Sequence, residues 1–158
     1  MRLVTCGCVI LALAMPGPFS HEVASCECGP KLAPTPEYIA SAAVVFAGTA
    51  VAEVLEREPF DGRMFAKGTR TLFAVSEVWK GDVPSSGFVW IMSPAGCGYS
   101  FEIGESYIVF AFSSTRGLTT SMCDFTSPSR DASSTMAILG PPKTLVHQDQ
   151  WLHPPLCE

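Results

Sequence analysis

The sequence predicts a mainly β fold: a small five-stranded barrel with one or two short flanking helices. Five apolar or alternating segments follow one another with turn signals between them, which is typical of small barrels and sandwiches. The first segment is long and is interrupted by Gly48, and this favours a Greek-key barrel of the oligonucleotide/oligosaccharide-binding type (OB fold). The 158 residues, 47% hydrophobic and 16% charged, suit one ordinary domain with a core and exclude a disordered chain.

The first predicted elements are a short helix and a long strand. Thr35 is a good N-cap residue, Pro36 suits the first helical position, and Glu37 suits the positive end of a helix. A β-branched strand follows over residues 44–54, in which Gly48 marks a bulge or a corner of the barrel.

Four more strands are predicted downstream. The polar segment after the first strand carries Asp61-Gly62, a turn signal. Residues 69–79 then alternate between two faces, as a half-buried strand does. The remaining strands are expected at residues 88–92, 106–112 and 118–123, and a modest helix at residues 128–139, with Ser127 as its cap.

The N-terminal segment has the pattern of a secretory signal peptide. Arg2 precedes an apolar run over residues 3–15, which is shorter than the about 20 residues that span a bilayer. Val23-Ala24-Ser25 places small residues before Cys26, so residues 1–25 are predicted to be removed on export. An uncleaved N-terminal anchor is the alternative. The mature protein is therefore expected to be secreted and to begin at Cys26.

The bond between Ser25 and Cys26 also fits a bacterial lipobox, in which Cys26 would be lipidated after cleavage. A lipobox normally adjoins the apolar run, whereas here residues 16–25 intervene and include His21 and Glu22. Lipidation would anchor the protein to a membrane. Without it no membrane contact is expected, because no later segment is long and apolar enough to span a bilayer.

Seven cysteines are a high number for this length. Cys6 and Cys8 lie in the predicted signal peptide, and five remain in the mature chain. Outside the cytosol, disulfides are the expected state for four of them. A structural zinc site is the competing interpretation, but the Cys26-Glu27-Cys28 spacing departs from the usual zinc pairs. One cysteine must stay unpaired, and Cys157 in the Pro-rich tail is the candidate.

The domain is predicted to cover residues 26–140. Gly140-Pro141-Pro142 ends the second helix, because glycine and proline terminate helices. The segment that follows, residues 141–158, is polar and Pro-rich and is expected to be poorly ordered.

Several function classes are excluded by composition. The three histidines, His21, His147 and His153, all lie near the chain ends, so a Ser-His-Asp or Cys-His catalytic site is not expected. A net charge of −5 opposes nucleic-acid binding. Most aromatic side chains are expected to fill the barrel. The acidic residues around the first turn are interpreted as a solvated turn rather than a carboxylate pair; they are Glu53, Glu56, Glu58 and Asp61. The sequence favours a binding module over an enzyme, with no cofactor and no metal of its own.

Five blocks of the chain resemble the tissue inhibitors of metalloproteinases (TIMP), in particular the family's bacterial single-domain members. Together they cover most of the mature chain, and it is their combination that is specific. The blocks are Cys26-Glu27-Cys28 before a Pro-rich stretch and a helix; Val45-Phe46-Ala47-Gly48-Thr49-Ala50; Phe73, Val75 and Lys80-Gly81; Cys97-Gly98-Tyr99 with Phe101, Gly104 and Tyr107-Ile108-Val109; and Leu118 with Cys123.

The resemblance implies an OB-type (netrin-like) barrel and a mode of action. By the family's spacing, Cys26 would pair with Cys97 and Cys28 with Cys123. In the family, the α-amino group and carbonyl oxygen of the first Cys chelate the zinc of the target protease and displace its water. The resemblance therefore implies a monomeric inhibitor that binds a zinc metalloproteinase through Cys26, the zinc belonging to the partner.

Two residues depart from the family pattern. The residue that enters the main specificity pocket of the protease is Glu27 here, where vertebrate members have a small polar residue. Tyr38 stands where the first Cys of a third vertebrate disulfide would fall, and no counterpart of the vertebrate C-terminal domain is expected. The alternative interpretation is therefore a non-inhibitory extracellular barrel that binds another partner.

Overall fold

A long β hairpin forms one side of the fold in the computed structural model, which describes residues 26–30 and 33–146. Its strands are β1 (Val44–Phe60) and β2 (Arg63–Lys80). The short helix α1 (Pro36–Ser41) precedes the hairpin, and β3 (Phe88–Pro94) and β4 (Ser106–Ser114) follow it. The remaining elements are short: β5 (Gly117–Thr119), β6 (Ser127–Pro128), a 3-10 turn (Ser129–Asp131), α2 (Ser133–Leu139) and β7 (Thr144–Leu145).

Five of these strands close into a ring. β1 pairs with β2, β2 with β3, β3 with β5 and β5 with β4, and β4 returns to β1, where Val44 lies opposite Ala111. Only the β3–β5 pair, in which Met92 lies opposite Thr119, is parallel. Closure gives each of the five strands a neighbour on both sides for part of its length. The predicted OB-type barrel with short flanking helices is confirmed.

The first half of β1 is buried on both faces. Val44 and Phe46 point into the barrel, where they join Phe73, Val75 and the other residues of its core. Val45 and Ala47 point outwards into a second cluster that includes Tyr38 of α1 and Leu139 of α2. The helices therefore cover the outer face of β1, and this explains why its sequence is continuously apolar rather than alternating.

Gly48 allows β1 to bend at the barrel wall. The β1–β2 register shifts between Ala47 and Gly48, as expected of a bulge. A Cβ atom at position 48 would lie 2.7 Å from the carbonyl oxygen of Ala74. The glycine predicted to mark a corner is therefore required by the close approach of β2.

α1 is fixed at both ends. Thr35 caps it as predicted, its Oγ1 accepting a hydrogen bond of 3.2 Å from the Tyr38 amide. At its other end, the Lys80 ammonium group donates to the carbonyl oxygens of Ala40 and Ala42. The Lys80 contacts secure the C-terminal end of α1 to β2.

Several element boundaries differ from those predicted. The first hairpin extends to Phe60 and Arg63, because the polar stretch around Asp61-Gly62 forms paired strands and a two-residue turn. β5 stops at Thr119, and Gly98 and Ser121 form an isolated bridge beyond it. The second helix begins at Ser133, not residue 128; Ser127 lies in β6 and caps nothing, since Ala132 occupies the N-cap position.

The predicted domain end at residue 140 is too early. Lys143 donates a backbone hydrogen bond of 2.8 Å to the Val78 carbonyl, and Val146 donates one of 2.8 Å to Ser76. Thr144 and Leu145 pair with β2 as β7. The expectation of poor order is therefore wrong for residues 143–146, whereas residues 147–158, including Cys157, lie outside the described part of the chain.

Candidate functional site

Two disulfides hold the segment Cys26-Glu27-Cys28. Cys26 is bonded to Cys97, with Cα atoms 5.6 Å apart, and Cys28 to Cys123, with Cα atoms 5.1 Å apart. These are the pairs that the resemblance implies. Two bridges on either side of one residue leave the segment little conformational freedom.

The loops that carry the partner cysteines are joined to each other. The Met122 amide donates a hydrogen bond of 2.9 Å to the Cys97 carbonyl, and Gly98 forms a β bridge with Ser121. The Cys97 loop is also fastened to the β1–β2 hairpin, because the Ala95 amide donates to the Lys67 carbonyl at 3.0 Å. The N-terminal segment therefore rests on a continuous hydrogen-bonded support.

The segment lies at the surface. Cys26 and Cys28 are half-buried, and Glu27 between them is exposed. Within residues 26–30 and 33–146, the Glu27 carboxylate has no ion-pair partner. The side chain between the two bridges is therefore presented to solvent with its charge uncompensated.

Asp124 organises the loop next to Cys123. Its Oδ2 accepts hydrogen bonds from the Ser121 amide at 2.6 Å and the Ser121 hydroxyl at 2.9 Å. Its Oδ1 accepts a hydrogen bond of 2.8 Å from the Tyr38 hydroxyl. A carboxylate that accepts several hydrogen bonds rigidifies the backbone around it, and here that backbone carries one of the two bridges.

Tyr38 connects α1 to this loop. Its ring packs edge-on against Phe125 at 4.8 Å and Phe112 at 5.5 Å between centroids, and it also contacts Phe110. Burial, and then the hydrogen bond and negative charge of Asp124, raise the pKa of Tyr38 well above its ordinary value. The hydroxyl therefore stays protonated and donates to Asp124 throughout the neutral range.

Tyr38→Phe tests this connection. Removing the hydroxyl should destabilise the protein by about 1.5 kcal/mol, because a hydrogen bond to a carboxylate is lost while the packed ring remains. Urea unfolding at neutral pH measures the effect. Tyr99→Phe is the matched control, since the Tyr99 hydroxyl has no hydrogen-bond partner among the described residues. Equal stabilities of the two variants would mean that the Asp124 contact contributes nothing.

The outer half of the β1–β2 hairpin projects from the barrel and exposes apolar side chains. Phe60 is 70% exposed and Met64 61%, and the Phe60 and Phe65 rings meet edge-on at 5.9 Å. Val54 and Leu55 are about half exposed nearer the barrel. This surface was not predicted, although the apolar residues flanking Asp61-Gly62 are a sequence signal for a hairpin.

The acidic residues of the hairpin form no carboxylate pair. Glu56 pairs with Arg70 at 3.3 Å and Glu58 with Lys67 at 3.5 Å, and Glu53 and Asp61 are exposed. The interpretation of a solvated turn therefore holds for Asp61, whereas Glu53, Glu56 and Glu58 lie in strand β1. Across residues 26–30 and 33–146, no group of three or more His, Cys, Asp or Glu side chains is placed to hold a metal.

No protein family matches the sequence of the chain, and no curated protein matches it. Among the residues the structure describes, no helix is long and apolar enough to cross a membrane. Residues 1–25, the predicted signal peptide, lie outside the described residues.

Proposed function

We propose that the exported chain inhibits zinc endopeptidases by placing the Cys26 α-amine and carbonyl oxygen on the metal of the protease. The observation that carries this proposal is the surface segment Cys26-Glu27-Cys28, which is bonded on both sides of Glu27 to two mutually connected loops. The resemblance of the sequence to the metalloproteinase inhibitors supplies the chemical mode.

The proposed ligands suit zinc. Catalytic zinc sites have three protein ligands and hold water in the fourth position, and they expand to five ligands without difficulty. An amine and a carbonyl oxygen on one residue can displace that water and close a small chelate ring. A free α-amine has a pKa of about 7.7–8.0, so near neutral pH the amine loses its proton readily on binding the metal.

The two bridges increase the affinity of such a contact. Association is opposed by the ordering of flexible chain ends, and a segment that is already fixed loses little freedom on binding. The exposed apolar side chains of the hairpin, among them Phe60 and Met64, extend the candidate contact surface. Such patches on otherwise polar surfaces are typical of protein interaction sites.

Glu27 is proposed to select the target. Its charge is exposed, so transfer into an apolar specificity pocket would cost the hydration of an unpaired carboxylate. A protease with a basic pocket would instead compensate the charge. The proposed natural target is therefore a zinc endopeptidase with a positively charged specificity pocket.

Glu27→Thr should have opposite effects on two kinds of protease. Inhibition of an enzyme with an apolar pocket should strengthen about tenfold or more, since the cost of burying the carboxylate disappears. Inhibition of an enzyme with a basic pocket should weaken. Inhibition constants measure both effects. The control is Asp82→Thr, which removes a charge between β2 and β3 at the other end of the barrel and should change neither inhibition constant. Unchanged inhibition constants for Glu27→Thr would exclude the pocket contact.

The second candidate function is a non-inhibitory extracellular binding module, and the unpaired charge of Glu27 is the observation that favours it. The state of the N-terminus separates the two, because chelation requires a free amine on Cys26. Intact mass of the exported protein should give a chain that begins at Cys26, carries two disulfides and has no acyl group. An added lipid mass, or any other first residue, would exclude the inhibitory mechanism.

A further inference from the structure

The outer half of β1 has an unpaired edge. β4 pairs with β1 only as far as Thr49, and Ala50 makes the last backbone hydrogen bonds on that side, with Gly104 and Glu105. Among the residues that the structure describes, no strand adjoins residues 51–60 on the side away from β2. These residues are nevertheless held in an extended strand, because β2 pairs with their other side. A long strand with unpaired backbone groups is a template for pairing with another chain.

The usable part of this edge is residues 52–58. The pairing with β2 skips no residue of β1 from Ala52 onwards, so this part of the strand is regular. Pro59 ends it, because proline lacks the backbone N–H that a ladder requires. Val54 and Leu55, in the middle, are about half exposed although they are apolar. A second strand along this edge would cover both of them.

Two charges on the edge have no partner within the molecule. Glu56 and Glu58 form ion pairs with basic residues of β2. Glu53 and Arg57 are exposed, and neither belongs to an ion pair with another of the described residues. Because side chains alternate along a strand, these two lie on the same face, with Leu55 midway between them.

This arrangement is complementary to itself. When two copies of the strand pair in antiparallel fashion about a twofold axis at Leu55, residue 53 of each copy lies opposite residue 57 of the other. Glu53 then faces an arginine in both halves of the contact. A shift of the axis by half a residue to either side would instead place Glu53 opposite Glu56 or Glu58, and like charges opposed across a ladder are destabilising. Registers centred closer to Pro59 pair fewer residues.

We infer that two copies of the protein associate along this edge, β1 to β1, so that their hairpins form one continuous antiparallel sheet. Twofold symmetry closes the contact, and assembly therefore stops at the dimer. This departs from the monomer that the resemblance implies. The contact is small compared with stable interfaces, so the expected dissociation constant is about 10–100 µM.

The inference does not rest on the proposed function. The Cys97 loop is fastened to the hairpin through the Ala95 amide and the Lys67 carbonyl of β2, whereas the contact between copies uses the free edge of β1. The experiments below use no protease, so either proposal can fail while the other stands.

Sedimentation equilibrium of the mature protein from about 1 to 300 µM measures the association. The weight-average mass should rise with concentration from that of one chain towards that of two. Cys157→Ser should behave in the same way, because the contact is not a disulfide. Arg63→Glu is the matched control, since it reverses a charge at an exposed position of β2 outside this edge, and it should leave the dissociation constant unchanged.

Charge reversals locate the contact. Glu53→Arg and Arg57→Glu should each weaken association at least about tenfold, because each turns both facing pairs into like charges. The double variant should dimerise as the natural protein does, since the charges are then merely exchanged. An equimolar mixture of the two single variants should form a heterodimer, because each supplies the charge that the other lacks. All variants should keep the melting temperature of the natural protein.

Three outcomes contradict the inference. The first is the mass of a single chain at every concentration. The second is association that disappears in Cys157→Ser, which would mean that a disulfide joins the chains. The third is association that Glu53→Arg and Arg57→Glu leave unchanged, or that neither the double variant nor the mixture restores, which would place the contact on another surface.

Discussion

Cys97→Ser should cost the protein a large part of its stability. In the chain-entropy treatment, a bridge over 71 residues contributes about 4 kcal/mol. The second bridge, Cys28–Cys123, reduces the contribution of Cys26–Cys97, because it shortens the loop that Cys26–Cys97 closes to about 30 residues. A loop of that length corresponds to about 3.5 kcal/mol. The free energy of unfolding of a small domain is about 5–15 kcal/mol, so the loss is a substantial fraction of it.

Urea unfolding of the exported protein measures this loss. Cys157→Ser is the control, since it removes a cysteine that belongs to neither bridge, and its stability should match that of the natural protein. The Cys97→Ser variant should also lose inhibition, because the Cys26 end is released. A loss of less than about 1 kcal/mol in Cys97→Ser would mean that the N-terminal segment is not held as the structure describes.

The barrel could be predicted from the sequence because its signals are local. The alternation of residues 69–79, the cap at Thr35 and the glycine at position 48 each report the conformation of the backbone where they occur. A closed ring of five such strands has few alternatives of this size. The continuous apolar run of β1 is also explained locally, once both of its faces are known to be covered.

The missed elements depend on partners distant in the chain. Residues 144–145 have no strand signal of their own and become β7 only because β2 offers its edge at Glu77 and Val78. The sequence of the outer hairpin has the pattern of a polar loop, because it contains Glu56 and Glu58. In the structure each of these residues forms an ion pair with a basic residue of the opposite strand. Pairing of this kind is decided by tertiary geometry and not by local preference.

Some features of the candidate site could likewise be predicted from the sequence, and others could not. The cysteine pairs are implied by the resemblance to the metalloproteinase inhibitors, and Glu27 stands out as a charge between two cysteines. The contact between Tyr38 and Asp124 joins residues 86 positions apart and is recognisable only once the fold has brought them together. No periodicity or composition signal in the sequence indicates it.

One added residue should abolish inhibition. An Ala placed before Cys26 would convert the α-amine into a peptide nitrogen, whose lone pair is delocalised into the carbonyl and coordinates metal poorly. The proposed chelate is then lost. Inhibition should weaken about 1000-fold, which corresponds to about 4 kcal/mol of lost binding free energy. Because both bridges remain, thermal unfolding should not change.

The inhibition constant of the natural and the Ala-extended protein, measured against a panel of zinc endopeptidases, tests the mechanism most directly. An added Ala at the C-terminus, after Glu158, controls for the change of length. The account predicts that at least one protease is inhibited by the natural and C-terminally extended forms and not by the N-terminally extended form, all three having the same melting temperature. Equal inhibition by all three forms would contradict it, because binding would then run through a surface other than the Cys26 amine.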